Sequence, residues 1–76
     1  MDTRTRVRDI VALTLDVPVE AVTDELSADT NDEWDSVRHL TLILAIEDAF
    51  GIQFDEIEIP VLTSLSALLR AVEERV

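Results

Sequence analysis

The chain has 76 residues, an apolar fraction of 47% and a formal net charge of -11. A chain of this length forms one small domain with a thin hydrophobic core, so we expect residues 1–76 to fold as a single unit. Seventeen acidic residues against six arginines would repel a phosphate backbone, which excludes nucleic acid as an expected partner. The chain has no cysteine, so helix packing rather than disulfides or a cysteine-bound metal should stabilise it.

The first residues, MDTRTRVRDIVALTL, interrupt their apolar positions with charges and do not read as a signal peptide. No later stretch is long and apolar enough to span a bilayer. We therefore expect a cytoplasmic protein without membrane insertion.

The first helix is predicted from Thr3 to about Leu15, where apolar residues recur at helical spacing behind a cap at Asp2 or Thr3. Pro18 prevents its continuation, and a long polar loop follows as far as Asp35. Four apolar residues could anchor this loop to the core: Val17, Val19, Val22 and Leu26.

Eight carboxylates and no basic residue lie between Asp16 and Asp35. Two interpretations stay open, a solvated loop that keeps the protein soluble and a docking surface for basic partners. The stretch DTNDEWD spaces its oxygens like a calcium loop, but Trp34 and Leu40 stand where that loop needs glycine and glutamate. We therefore predict no defined metal site and only weak binding of divalent cations.

The second helix is predicted from Ser36 to about Phe50, with Gly51 at the position that favours a left-handed residue. Glu47 marks where the face of this helix changes from apolar to polar. We expect its apolar face to consist of Val37, Leu40, Ile43, Leu44 and Phe50.

A short third helix is predicted after Asp55, because Glu58 three residues later forms a capping pair with it, and Pro60 limits its length. The last helix should begin at the cap Ser64 and extend to Val76 along one apolar stripe. The predicted fold is an all-α four-helix bundle, with three main helices, the short third helix and a long first loop.

Ser36 stands directly behind the cap residue Asp35, at the positive end of the longest helix. If Ser36 were a nucleophile and His39 its base, the site would lack an oxyanion hole and a carboxylate to orient the imidazole. We therefore predict no enzyme activity. His39 should be a surface residue or a partner for the ring of Trp34. A phosphodiester on the Ser36 hydroxyl would, in contrast, be favoured by the helix dipole and free N–H groups.

These features resemble the acyl carrier protein family, through EWDSVRHLTLILAIEDAFGIQF and the later LTSLSALLRAV. The resemblance covers essentially the whole chain and implies that Ser36 receives 4′-phosphopantetheine from coenzyme A, flanked by Asp35 and by Val37 in place of the usual leucine. A separate magnesium-dependent phosphopantetheinyl transferase would attach the arm. Acyl-loading and acyl-transfer enzymes would then act on a thioester carried by this phosphoprotein, which we expect to be monomeric and free-standing.

Two departures from the fatty-acid carriers, Arg38 with His39 and a compact region around Pro60, favour a specialised pathway such as polyketide or hydroxyacyl assembly. Candidate residues for partner recognition are Arg38, His39, Trp34, Glu47 and Asp48. An aminoacyl or peptidyl carrier is the alternative, and a non-carrying acidic interaction module is a further one.

Overall fold

The computed structural model describes residues 2–76 and is built from helices. The α-helices are α1 (Thr3–Leu15), α2 (Ser36–Phe50) and α3 (Leu65–Glu73), and two 3₁₀ turns lie in the connections, the first at Val19–Ala21 and the second at Ile59–Val61. Within residues 2–76 there is no β-strand, and one isolated antiparallel bridge joins Ser27 to Ser64. The all-α class is confirmed.

Helix α1 has the predicted bounds and packs against both α2 and α3. The Asp2 carboxylate caps it by accepting a hydrogen bond of 2.7 Å from the Thr5 backbone N–H, and this bond lowers the pKa of the Asp2 carboxyl. The helix stops at Asp16, which takes a left-handed conformation with φ of 57°. Its buried face is formed by Val7, Val11, Ala12 and Leu15.

The long first loop contacts the core through three of its four predicted anchors. Val22 and Leu26 are buried, whereas Val17 is half-buried and Val19 is exposed. Two backbone hydrogen bonds then fix the loop to the start of α3: the Ala28 N–H donates to Thr63 O and the Leu65 N–H donates to Leu26 O. These contacts and hydrogen bonds therefore fix the path of the loop toward Ser36.

The apolar face of α2 differs from the prediction. The helix buries His39, Leu42, Ile43 and Ile46, while Val37, Leu40 and Leu44 are 72%, 58% and 64% exposed. For these three residues the prediction was wrong, because α2 carries apolar residues around most of its circumference and the positions of α1 and the loops decide which of them are covered. For Ile43, which is buried, and Phe50, which is half-buried against the core, the prediction is confirmed. Gly51 ends α2 with φ of 64°, as predicted.

The predicted short third helix is not an α-helix, so the count of four helices is not confirmed. The expected pairing is present, because the Asp55 backbone N–H donates to a Glu58 carboxylate oxygen at 2.8 Å. The chain then forms one 3₁₀ turn, in which the Val61 N–H donates to Glu58 O and the Leu62 N–H donates to Ile59 O. Pro60 has no N–H to donate, which prevents a second α-helical turn.

Helix α3 begins at the predicted cap, where the Ser64 hydroxyl accepts a hydrogen bond from the Ala67 N–H at 3.1 Å. It ends at Glu73 rather than Val76, and Val76 is 61% exposed. The last turn tightens because the Arg75 N–H donates to Val72 O. The Arg75 guanidinium bonds Ala71 O and Gln53 O, and it pairs with Glu58 and lies over the Phe54 ring.

Candidate functional site

Ser36 is the first residue of α2, and its side chain is exposed. The Asp35 carboxylate caps the helix by accepting a hydrogen bond from the Arg38 backbone N–H at 2.9 Å, and the Asp35 carbonyl accepts from the His39 N–H at 2.8 Å. A short polar residue at this cap stabilises the helix start by about 1 kcal/mol. The cap therefore fixes the backbone at the exposed residue Ser36.

The backbone N–H groups of Ser36 and Val37 have no acceptor within residues 2–76. Such free N–H groups, with the dipole of a 15-residue helix behind them, favour a negative charge at this position. A phosphodiester on the Ser36 hydroxyl would meet this environment, so the residues present fit the group that the resemblance implies.

Arg38 turns toward the body of the protein. Its guanidinium donates to the carbonyl of Leu15, the last residue of α1, at 3.4 Å and forms an ion pair with Glu33. The Arg38 side chain is 37% exposed. Arg38 thus ties the loop before Ser36 to the end of α1, and only part of its side chain faces a partner.

Trp34 and His39 form a buried polar pair beneath Ser36. Their rings lie nearly parallel with centroids 6.2 Å apart, and the Trp34 indole N–H donates to His39 Nδ1 at 3.0 Å. The other ring nitrogen, Nε2, lies 2.7 Å from the carbonyl oxygen of Ile59. The placement of His39 on the surface was therefore wrong, and the alternative placement beside Trp34 was right.

A cavity of about 280 Å³ opens beside Ser36. Asp35 and Ser36 line it from the start of α2, and Pro60 and Thr63 line it from the segment before α3. Trp34, His39 and Ala28 complete the lining. The site therefore combines an exposed hydroxyl, a helix N-terminus and an adjacent concave surface.

An exposed apolar stripe on α2 leads away from Ser36. It consists of Val37, Leu40 and Leu44, which recur at intervals of three and four residues and so share one helix face. Exposed apolar positions grouped in this way mark contact surfaces more often than isolated ones do. Leu40 and Leu44 were predicted to lie in the core, although their helical spacing from Val37 already placed all three on one face.

The two acidic residues of α2 that were predicted to contact partners, Glu47 and Asp48, also differ in exposure. The Glu47 carboxylate accepts a hydrogen bond from the Phe54 backbone N–H at 2.8 Å and is half-buried, so it braces the chain after α2. Asp48 is exposed. Across residues 2–76, no three His, Asp or Glu side chains are grouped closely enough to hold a metal ion, and no helix is long and apolar enough to cross a membrane.

A comparison with known proteins found a relative of this chain. The chain is 39% identical over 51 residues to a protein of Ralstonia nicotianae named acyl carrier protein 3. This similarity supports an assignment to the acyl carrier protein family. The alignment covers 67% of this chain and 59% of that protein, so it spans less than two thirds of the relative's length. No protein-family model matches the chain.

The structure separates the predicted site residues into two groups. Ser36, Asp35 and Val37 stand together at an exposed helix start, and Arg38 and Asp48 also reach the surface. Trp34 and His39 are only 4% and 9% exposed, and both line the cavity beside Ser36.

Proposed function

We propose that this chain is an acyl carrier protein whose Ser36 bears a 4′-phosphopantetheine arm. The observation that carries the proposal is the exposed residue Ser36 at the start of α2, beside N–H groups that have no acceptor within residues 2–76, in a chain similar to an acyl carrier protein. The arm supplies a terminal thiol that holds an acyl or related group as a thioester.

Attachment of the arm requires an accessible serine and a separate phosphopantetheinyl transferase with magnesium and coenzyme A. The Ser36 oxygen would attack the phosphorus next to the pantetheine, a new O–P bond would form, and the bond to the adenosine bisphosphate would break. The serine proton would pass to a base of the transferase. The chain's own contribution is positional, because Asp35 fixes the helix start and the free N–H groups favour the phosphate charge.

This role accounts for the scarcity of catalytic side chains, since the chemistry on the thioester belongs to partner enzymes. Tethering raises the local concentration of the carried group at each partner. The exposed stripe of Val37, Leu40 and Leu44 next to the attachment point offers an apolar contact, and the surrounding carboxylates offer charge to basic partner surfaces. We propose that residues 1–76 form one monomeric, cytoplasmic carrier domain.

A specialised pathway, such as polyketide or hydroxyacyl assembly, is the finer proposal. Its support now comes mainly from the compact segment around Pro60, because His39 is buried and Arg38 is partly engaged within the protein. An aminoacyl or peptidyl carrier is the alternative within the family. Loading with acyl-coenzyme A and aminoacyl-coenzyme A analogues, followed by transfer to pathway enzymes, would separate the two.

The proposal is tested by incubating the chain with a broad-specificity phosphopantetheinyl transferase, coenzyme A and magnesium, and measuring the intact mass. The wild type should gain one phosphopantetheine and Ser36→Ala none. Ser66→Ala is the matched control, because Ser66 is also an exposed serine in the first turn of a helix. A folded wild type that gains nothing with several transferases would exclude the carrier role and favour a non-carrying interaction module.

A further inference from the structure

His39 is the one buried polar side chain within residues 2–76, and both of its ring nitrogens are engaged. An indole N–H can only donate and a carbonyl oxygen can only accept. The contacts with Trp34 and Ile59 therefore form together only when the imidazole is neutral and carries its proton on Nε2. The surroundings of His39 thus select a single tautomer.

The two bonds join three segments that are distant in sequence. Trp34 ends the first loop, His39 belongs to the first turn of α2, and Ile59 begins the second 3₁₀ turn. Within the described residues, the bond from His39 to Ile59 is the only hydrogen bond between α2 and that turn. Loss of the imidazole would remove this bond and leave the Trp34 N–H buried without an acceptor.

The three segments that His39 joins also surround the cavity beside Ser36. Trp34 and His39 line this cavity with Ser36, and Pro60 lines it from the second 3₁₀ turn. The two hydrogen bonds of one imidazole therefore link the end of the first loop and the turn to the first turn of the helix that carries Ser36. Buried polar groups whose bonding is fully satisfied favour one arrangement over similar alternatives.

We propose that neutral His39 is a positioning residue for modification of Ser36. Its hydrogen bonds hold the end of the first loop and the second 3₁₀ turn in the arrangement that the transferase binds. This inference rests on the proposed function. Without these bonds, only part of the population has the binding-competent arrangement, and the apparent affinity for the transferase falls by that fraction.

The structural part of the proposal is tested by NMR on the apo protein. The chain has one histidine and one tryptophan, so the ring signals need no assignment among several residues. At neutral pH, imidazole nitrogen shifts should show a protonated Nε2 and an unprotonated Nδ1, and the indole N–H should exchange slowly with water. The opposite tautomer, or an indole N–H that exchanges freely, would overturn the proposal.

The functional part is tested by the steady-state kinetics of Ser36 modification in the presence of coenzyme A and magnesium. His39→Leu should raise the KM for the carrier at least about threefold with little change in kcat, as expected if a third or less of the molecules remain competent. His39→Gln, whose amide can still donate toward Ile59 O, should restore part of the loss. Trp34→Phe serves as the second variant if His39→Leu does not fold, with a KM increase expected.

Val11→Ala is the stability control, because Val11 is fully buried in α1 and does not line the cavity beside Ser36. At a temperature where all variants are folded, it should leave the KM unchanged. A wild-type KM for both His39→Leu and Trp34→Phe, or an equal rise for Val11→Ala, would overturn the positioning role. A wild type that is not modified at all would instead overturn the proposed function, and the NMR result would still test the tautomer.

Discussion

Replacing Arg38 should weaken the protein, because its guanidinium ties the loop before Ser36 to the end of α1. Arg38→Gln removes the ion pair with Glu33 and the hydrogen bond to the Leu15 carbonyl. The paired side chains are 37% and 54% exposed, and exposed pairs of this kind contribute about 0.2–1 kcal/mol. The hydrogen bond to the Leu15 carbonyl is long at 3.4 Å. Its contribution to the free energy of unfolding should therefore lie at the lower end of the usual range of about 0.5–1.5 kcal/mol.

The two contributions sum to about 1 kcal/mol of unfolding free energy. For a domain of this size, a loss of about 1 kcal/mol lowers the melting temperature by roughly 4–8 °C. Thermal unfolding followed by far-ultraviolet circular dichroism measures this shift. The ion-pair share should shrink in about 1 M salt, where the Debye length is about 3 Å.

Arg70→Gln is the matched control, since Arg70 is exposed on α3 and forms no ion pair or side-chain hydrogen bond within residues 2–76. We expect its effect to stay within about 0.5 kcal/mol. Equal melting temperatures for the two variants would refute the anchoring role of Arg38. The outcome also matters for partner selectivity, because Arg38→Glu would place a carboxylate beside Glu33 and Asp35 and change stability together with recognition.

Three further outcomes are expected from thermal or denaturant unfolding. Gly51→Ala should cost about 1–2 kcal/mol through backbone strain alone, because Gly51 has φ of 64° and an added Cβ would meet no atom within 4 Å; an unchanged stability would contradict this. Leu42→Ala should lower the free energy of unfolding by about 2–5 kcal/mol because Leu42 is fully buried. Leu44→Ala should change it by no more than about 0.5 kcal/mol. The reverse order would mean that the other face of α2 is buried. Sodium chloride should raise the melting temperature by screening the net charge of -11. Magnesium chloride at equal ionic strength should add only a small further rise, through weak binding to the acidic loop; a large further rise would indicate a specific site.

Features set by neighbouring residues were predictable from the sequence. Asp2, Asp35 and Ser64 cap their helices as expected, because capping is a contact across three residues. Gly51 ends α2 for an equally local reason, the freedom of glycine to adopt positive φ. The position of Ser36 at a helix start follows from these caps.

Features set by distant partners were not predictable. His39 bonds Ile59, 20 residues away, and Arg38 bonds Leu15, 23 residues away. Nothing near either residue in the sequence indicates these partners; for His39 only the contact with Trp34, five residues away, was among the predicted alternatives. The face that α2 buries is also decided by packing against α1, since apolar residues occur on more than one side of the helix.

The place of the phosphopantetheine adduct tests the central claim most directly. The chain would be co-expressed with a broad-specificity phosphopantetheinyl transferase and digested, and the modified peptide would be fragmented by tandem mass spectrometry. We expect a single adduct on the Ser36 hydroxyl. An unmodified chain, or an adduct on another serine such as Ser27, Ser64 or Ser66, would contradict the claim that the start of α2 is the attachment site.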